Sequence, residues 1–182
     1  MKILTVNFDE IQKAMEDVSR DTFDYFLDLK TGEVITFSEE ILSVIKSKLY
    51  INDSEEFGDD VEYIEFDEEP DIPDWMEDEV ELALEILLGE DERYARIPGR
   101  ESLMAYKSMA DFIETVKDPF LKEELLNALD GKGAFKRFKG VLLAYPKERK
   151  RWHGYNAKAM KMEIIEWLMS VGVESISWPL SH

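Results

Sequence analysis

The pattern of hydrophobic and polar positions separates a strand-rich beginning of the chain from a helical end. Residues 22–29 alternate in polarity and are joined by a short turn to residues 33–37, which is typical of a β-hairpin. An apolar strand over residues 2–6 precedes a helix that Asn7 is placed to cap. Apolar residues at helical spacing after Ser38 predict a second helix.

Helical spacing dominates the second half of the chain. The predicted helices begin near Ser102, after the N-cap pair Asp118-Pro119, near Phe135 and at Pro146, and the last one runs to about Ser170. Residues 93–97 and 173–177 are predicted strands. We therefore predict a single α+β domain over residues 1–182. It has an acidic mixed α/β half, 1–98, with a β-hairpin or small antiparallel sheet and helices, and a mainly helical half, 99–182.

Charge changes this picture at residues 49–92, which contain twenty Asp and Glu and no Lys or Arg. Residues 61–66 alternate like a strand, and Asp74 is placed to cap a helix, so we expect a folded segment with an acidic outer face. A surface that docks a basic partner or mimics nucleic acid is the alternative. A metal site is a third interpretation, but no loop here has the EF-hand spacing with its glycine, and we predict no metal.

Composition excludes several classes of protein. The chain has 182 residues, of which 45% are hydrophobic, and this is enough for a packed core. Cysteine is absent, which excludes disulfides, thiol nucleophiles and cysteine-based metal centres. The first ten residues lack the apolar run of a signal peptide, and no stretch has the length of a membrane span. We expect a cytoplasmic protein that binds no membrane and no cofactor.

The net charge of −19 contrasts with the basic island, residues 131–152, in which eight Lys and Arg accompany a single acid, Glu148. On a helical wheel, the first part of this island turns its phenylalanines inward and its cations outward. The candidate cations for phosphate contacts are Lys132, Lys136, Arg137, Lys139, Lys147, Lys150 and Arg151. The competing interpretation, which we favour, is that the acidic run 49–92 neutralises the island within the fold or between subunits.

The second part of the basic island begins the last helix. Arg149 and His153 lie at helical spacing with the apolar residues further along this helix, so we expect them to continue the buried stripe. Burial of a cation requires a partner, and an arginine–carboxylate pair is the simplest expectation. The alternative is a ligand pocket formed by Arg149, Trp152, His153 and Asn156.

Several blocks of this sequence carry a resemblance to a known family. They are FDYFLDLKTGEV (23–34), RYARIP (93–98), GKGAFKRF (131–138) and ERKRW (148–152). Together with the intervening helices, they resemble the bacterial uncharacterised protein family 0158 over most of the chain. Lys132 and Lys136 stand where arginine is common in that family, which argues against a bidentate arginine role at these positions. The resemblance implies a bacterial, intracellular, stand-alone protein and supplies no catalytic residues.

No catalytic constellation is recognisable in the sequence. We therefore favour a non-enzymatic interaction protein whose acidic and basic surfaces bind a protein partner or a second copy of the chain. The first alternative is RNA or DNA binding through residues 132–151. The second is a small-anion-binding protein or enzyme with a pocket at Arg149 and His153, which requires both side chains to converge on one concave site.

Overall fold

The structure, a computed structural model, describes residues 1–17, 23–45, 73–88 and 92–177, and its fold is α+β as predicted. In chain order the elements are β1 (Lys2–Val6), α1 (Phe8–Glu16), β2 (Asp24–Asp28), β3 (Val34–Phe37), α2 (residues 39–45), a 3-10 turn (Asp74–Met76), α3 (Glu77–Leu88), β4 (Tyr94–Arg96), α4 (Ser102–Glu114), α5 (Pro119–Ala128), α6 (Ala134–Leu142), α7 (Pro146–Ser170) and β5 (Val173–Ser177). None of the helices in the described ranges combines the length and apolarity that a membrane crossing requires.

The chain divides into two compact units. Unit 1 comprises residues 1–16 and 98–182, and unit 2 comprises residues 17–97. The prediction that all 182 residues form a single domain stays a prediction. The predicted strand over residues 61–66 lies outside the described residues.

Unit 1 joins the two ends of the chain in a parallel pair of strands. β1 lies beside β5, with Lys2 opposite Val173. The predicted cap of α1 is confirmed, because Asn7 Oδ1 accepts the backbone N–H of Asp9 at 3.0 Å. The predicted start of α5 is also confirmed, since Asp118 accepts the backbone N–H of Phe120 at 3.0 Å. These capping residues therefore define the starts of two helices of the unit.

The core of unit 1 is an aromatic cluster between α4, α6 and α7. The Trp152 ring centroid lies 4.8 Å from that of Phe138 and 5.3 Å from that of Phe112, both in edge-to-face geometry. All three side chains are fully buried. Leu121 and Leu125 of α5 belong to the same cluster. Of the two phenylalanines of α6 that were predicted to face inward, Phe138 is fully buried and Phe135 is partly buried against this cluster.

Unit 2 contains the predicted hairpin as part of a three-stranded antiparallel sheet of order β3-β2-β4. Phe26 and Leu27, neighbours on opposite faces of β2, are both buried, so this central strand is covered on two sides. Phe26 packs with residues of α2 and α3, among them Ile41 and Val80. The prediction that Asp74 is a helix N-cap is wrong: Asp74 begins a 3-10 turn that leads into α3.

The buried face of α7 differs from the prediction. Its buried residues are Trp152, Asn156, Met160, Ile164 and Leu168, which recur every four positions. Arg149 and His153 are exposed, so the prediction that they continue the buried stripe is wrong. Instead, the N-terminal half of the helix buries Trp152, a large apolar side chain, and Asn156, whose polar atoms have partners.

The buried cation of unit 1 is Arg100, not Arg149. The Arg100 side chain is only 5% exposed and its Nη2 lies 2.9 Å from Glu163 Oε2. It also donates to Asn156 Oδ1 at 3.0 Å and to Ser108 Oγ at 2.9 Å. The amide of Asn156 in turn donates to Glu16 Oε1 at 2.9 Å. This Arg100 network ties α1, α4 and α7 together, and it satisfies the buried charge with a carboxylate and two neutral oxygens.

We predict that Arg100→Met lowers the free energy of unfolding by about 3–5 kcal/mol, because it leaves Glu163 and Asn156 without their donor. Arg96→Met is the matched control. Arg96 pairs with Asp24 but is 64% exposed, so its loss should cost less than about 1 kcal/mol. Urea denaturation monitored by circular dichroism measures both changes. Equal losses in the two variants would contradict a special role for the Arg100 network.

A second ion pair, between Arg93 and Asp28, should make the stability of unit 2 depend on pH under acidic conditions. Arg93 donates to both carboxylate oxygens of Asp28, at 3.0 and 2.8 Å, and the backbone N–H of Lys30 donates to one of them at 2.9 Å. The Arg93 hydrogen bonds above all lower the pKa of Asp28 to about 2 from its usual value near 3.8. The ionised form is therefore favoured more in the folded protein than in the unfolded chain.

The stabilisation from Asp28 should be complete above about pH 4 and should be lost as the pH falls towards 2. We expect Asp28→Asn to be less stable than the original chain at pH 6, with the difference shrinking between pH 4 and pH 2. Chemical denaturation at a series of pH values measures this difference. A difference that stays constant down to pH 2 would contradict the assignment.

Candidate anion-binding site

Arg137, one of the candidate phosphate ligands, is engaged by the turn between α5 and α6. In this turn Gly131 and Gly133 adopt φ values of 77° and 79°, in the left-handed region that favours glycine. Arg137 Nε donates to the carbonyl oxygen of Ala128 at 3.1 Å, and Nη2 donates to that of Asp130. The guanidinium thus satisfies carbonyl groups at the C-terminal end of α5, which have no partner within the helix.

Arg151 is likewise occupied by neighbouring groups. Its Nη2 lies 2.7 Å from Glu148 Oε2, and its Nη1 donates to Thr115 Oγ1 at 2.6 Å. The guanidinium carbon is 4.5 Å from the centre of the Phe112 ring, a cation–π distance. Arg151 therefore links the start of α7 to the end of α4.

Two further candidates lie in the interior. Trp152 is 1% exposed and belongs to the aromatic core, and Asn156 belongs to the Arg100 network. Both polar atoms of the buried Asn156 amide have protein partners, because Oδ1 accepts from Arg100 and Nδ2 donates to Glu16. Trp152 can contribute to a binding site only through the small part of its ring that borders a surface cleft.

Four further candidates, Lys136, Lys139, Arg149 and His153, line one cleft, whereas Lys147 and Lys150 of α7 do not. The cleft has a volume of about 380 Å³, and its lining residues are Lys136, Lys139, Gly140, Leu142, Leu143, Arg149, Trp152 and His153. From Lys136, the α6 side has the spacing i, i+3, i+4, i+6, i+7. From Arg149, the α7 side has the spacing i, i+3, i+4, so each helix contributes one face. Lys132 is exposed but does not line the cleft.

The cleft has a positive charge that no carboxylate of the described residues neutralises by an ion pair. Within the residues that the structure describes, no ion pair joins Lys136, Lys139 or Arg149 to a carboxylate. Lys139 Nζ lies 4.2 Å from the centre of the Phe135 ring, which holds the ammonium over an aromatic face without cancelling its charge. Three cations and an imidazole therefore surround a small, partly apolar space, an arrangement suited to an anion.

A wider hollow lies beyond the turn between α6 and α7. Its volume is about 510 Å³, and it is lined by Asp118, Leu121, Ala144, Tyr145, Pro146, Lys147 and Glu148. Its single lysine is accompanied by two carboxylates, so its charges do not favour an anion. In the described part of the chain, no group of histidine and carboxylate side chains is arranged to hold a metal ion.

The sequence identified the cations of the cleft but missed its apolar wall. Leu143 is 63% exposed, and it completes the helical face that begins at Lys136. Lys136 and Leu143 are seven positions apart, a spacing that places two helical residues on one face, so the sequence could have indicated that Leu143 lies beside the cations. Arg100 was also missed, although Asn156 and Glu163, seven residues apart on α7, mark a polar interruption of the buried face.

Comparisons with known proteins identify relatives of this sequence. The family model described as an uncharacterised protein family, UPF0158, matches residues 56–177. A UPF0158 protein of Pseudomonas aeruginosa is 25% identical over 168 residues, covering 92% of this chain and 84% of its own length. No solved structure matches the chain.

The two cations Arg137 and Lys139 differ in their partners, and this difference can be tested. Arg137 donates to backbone carbonyl groups, whereas Lys139 has no carboxylate partner among the described residues. Arg137→Ala should lower the free energy of unfolding by about 1–3 kcal/mol, because several carbonyl groups lose a charged donor. Lys139→Ala removes the same charge from the same helix, and we expect a change within about 0.5 kcal/mol. Thermal and urea denaturation of the two variants measure the contrast. An equal effect of the two substitutions would be incompatible with this difference in partners.

Proposed function

Because the chain belongs to the uncharacterised protein family UPF0158, whose name supplies no activity, we propose a function from the cleft: a cytoplasmic, non-catalytic protein that binds a small anion between α6 and α7. This proposal develops the alternative in which Arg149 and His153 line one concave site. Both side chains are exposed to the same cleft.

One observation carries the proposal: Lys136, Lys139 and Arg149 line a single cleft and have no carboxylate partner among the described residues. Three like charges that lie close together repel one another, and an anion between them relieves this repulsion. The cleft volume of about 380 Å³ lies within the range of small-molecule sites. The rest of the chain is strongly negative, so attraction to the cleft is local, which favours a small ligand over an extended polyanion.

The nucleic-acid alternative has less support. Arg137 and Arg151 are engaged by protein groups, so the number of free cations in residues 132–151 is smaller than the sequence indicated. Phe138 is fully buried and Phe135 lies beneath Lys139, which leaves no free aromatic face of α6 for a base to stack on. Binding of a protein partner or a second copy of the chain stays a prediction that rests on the charge segregation of the sequence.

The two histidines of the chain provide a direct test. His153 lines the cleft and His182 is the last residue of the chain, so each gives its own imidazole NMR signals. In a titration with inorganic phosphate at constant pH and ionic strength, we expect the His153 signals to shift to saturation. The double variant Lys139→Glu, Arg149→Glu should bind at least about tenfold more weakly, since the cleft then repels the anion.

The matched control is Lys107→Glu, Lys158→Glu, which changes the net charge equally at exposed sites that do not line the cleft. This control should retain most of the affinity. Titrations with a single-stranded RNA oligomer and with an acidic peptide serve as comparison arms. Unchanged His153 signals with phosphate would reject the proposal, and saturable binding of only the RNA or only the peptide would replace it with one of the alternatives.

A further inference from the structure

The lining of the cleft also indicates which kind of anion it takes. Resting on the proposed function, we infer that the ligand is a phosphate ester whose apolar organic group lies against α6 at Gly140. The phosphate contacts the cations of the cleft, and the organic group contacts its apolar wall. The sequence and the comparisons assign no ligand to this position.

Gly140 is the residue from which this inference begins. It lies inside α6 with an ordinary negative φ, so the backbone conformation does not require glycine. Apart from its chain neighbours and the backbone of its own helix, a methyl group at this position would meet no protein atom within 4 Å, so packing does not require glycine either. Glycine is unfavourable in a helix compared with alanine. Gly140 lines the cleft, so the absence of a side chain there leaves the cleft open to the backbone of α6.

The apolar wall beside Gly140 is larger than a bare inorganic anion would use. Leu143 is one turn away on the same face and remains 63% exposed, while Leu142 and Trp152 are buried but border the cleft. An apolar group placed over Gly140 would cover Leu143 and reach the edge of Trp152. Burial of apolar surface is favourable, so such a ligand should bind more tightly than the phosphate group alone.

The position of the cations sets where the phosphate lies. Lys136 and Lys139 precede Gly140 on α6. Arg149 and His153 line the same cleft from α7. A phosphate dianion accepts hydrogen bonds from lysine ammonium and arginine guanidinium groups, and both types are present. The organic group is then left beside Gly140 and Leu143, where no charged side chain intervenes on α6.

A pair of glycines makes the inference testable. Gly154 of α7 is also a helical glycine with no protein atom within 4 Å of an added methyl group, but it does not line the cleft. Gly140→Ala and Gly154→Ala should each leave the melting temperature unchanged or raise it by up to roughly 4 °C. Of these two glycine positions, only position 140 should affect ligand binding when it is substituted, which separates a role in binding from a role in folding.

The probes are inorganic phosphate, phenyl phosphate and glucose 6-phosphate, titrated against the His153 NMR signals. We expect the original chain to bind phenyl phosphate at least about tenfold more tightly than inorganic phosphate. Gly140→Leu, which fills the cleft, should abolish this preference, and Gly140→Ala should reduce it severalfold. Gly154→Leu and Gly154→Ala should retain it. Leu143→Ser, at an exposed position, should reduce it without lowering the melting temperature.

The outcomes separate the two proposals. Absence of any phosphate binding would reject the proposed function itself. Binding of inorganic phosphate with no preference for phenyl phosphate, or with tighter binding of glucose 6-phosphate, would overturn the inference and leave the proposed function in place. A preference for phenyl phosphate that survives in Gly140→Leu, provided that this variant is folded by circular dichroism, would also overturn it.

Discussion

Burial of one cation, Arg100, is the constraint on which the arrangement of unit 1 depends. An arginine side chain that is 5% exposed is unfavourable unless its donors are satisfied, and its acceptors come from two helices, α4 and α7. Asn156 and Glu163 lie on one face of α7, so their contacts with Arg100 fix the rotation of this helix about its axis. With that rotation, Trp152 turns into the aromatic core while Arg149 and His153 remain at the surface. The cleft is therefore a consequence of where the buried charge lies.

Helix starts and strand positions could be predicted because their determinants are local. Asn7 and Asp118 act on backbone groups two or three residues away, and the hairpin pattern lies within a few residues of its turn. The buried face of α7 could not be predicted in this way. Its deciding partner, Arg100, precedes Asn156 by 56 residues, and the spacing of side chains along α7 suits more than one buried stripe.

The candidate site shows the same distinction between local and distant determinants. Sequence reasoning identified eleven candidate residues in and beside the basic island, and five of them line one cleft: Lys136, Lys139, Arg149, Trp152 and His153. Arg137 could not be distinguished from Lys139 in sequence, because its acceptors are exposed only by the geometry of the glycine turn. Trp152 borders the cleft while its side chain belongs to the aromatic core, and Asn156 does not line the cleft and belongs to the Arg100 network.

The backbone N–H of Arg100 donates to the carbonyl oxygen of Met15 at 2.8 Å. The chain leaves unit 1 after Glu16 and returns to it at Pro98, so this bond joins the exit and the return. In topological terms, residues 17–97 are an insertion whose ends are held by contacts of the host unit. The entropy of closing this long loop is thus offset within unit 1. Changes in the length of the insertion should consequently be tolerated by the unit that carries the cleft.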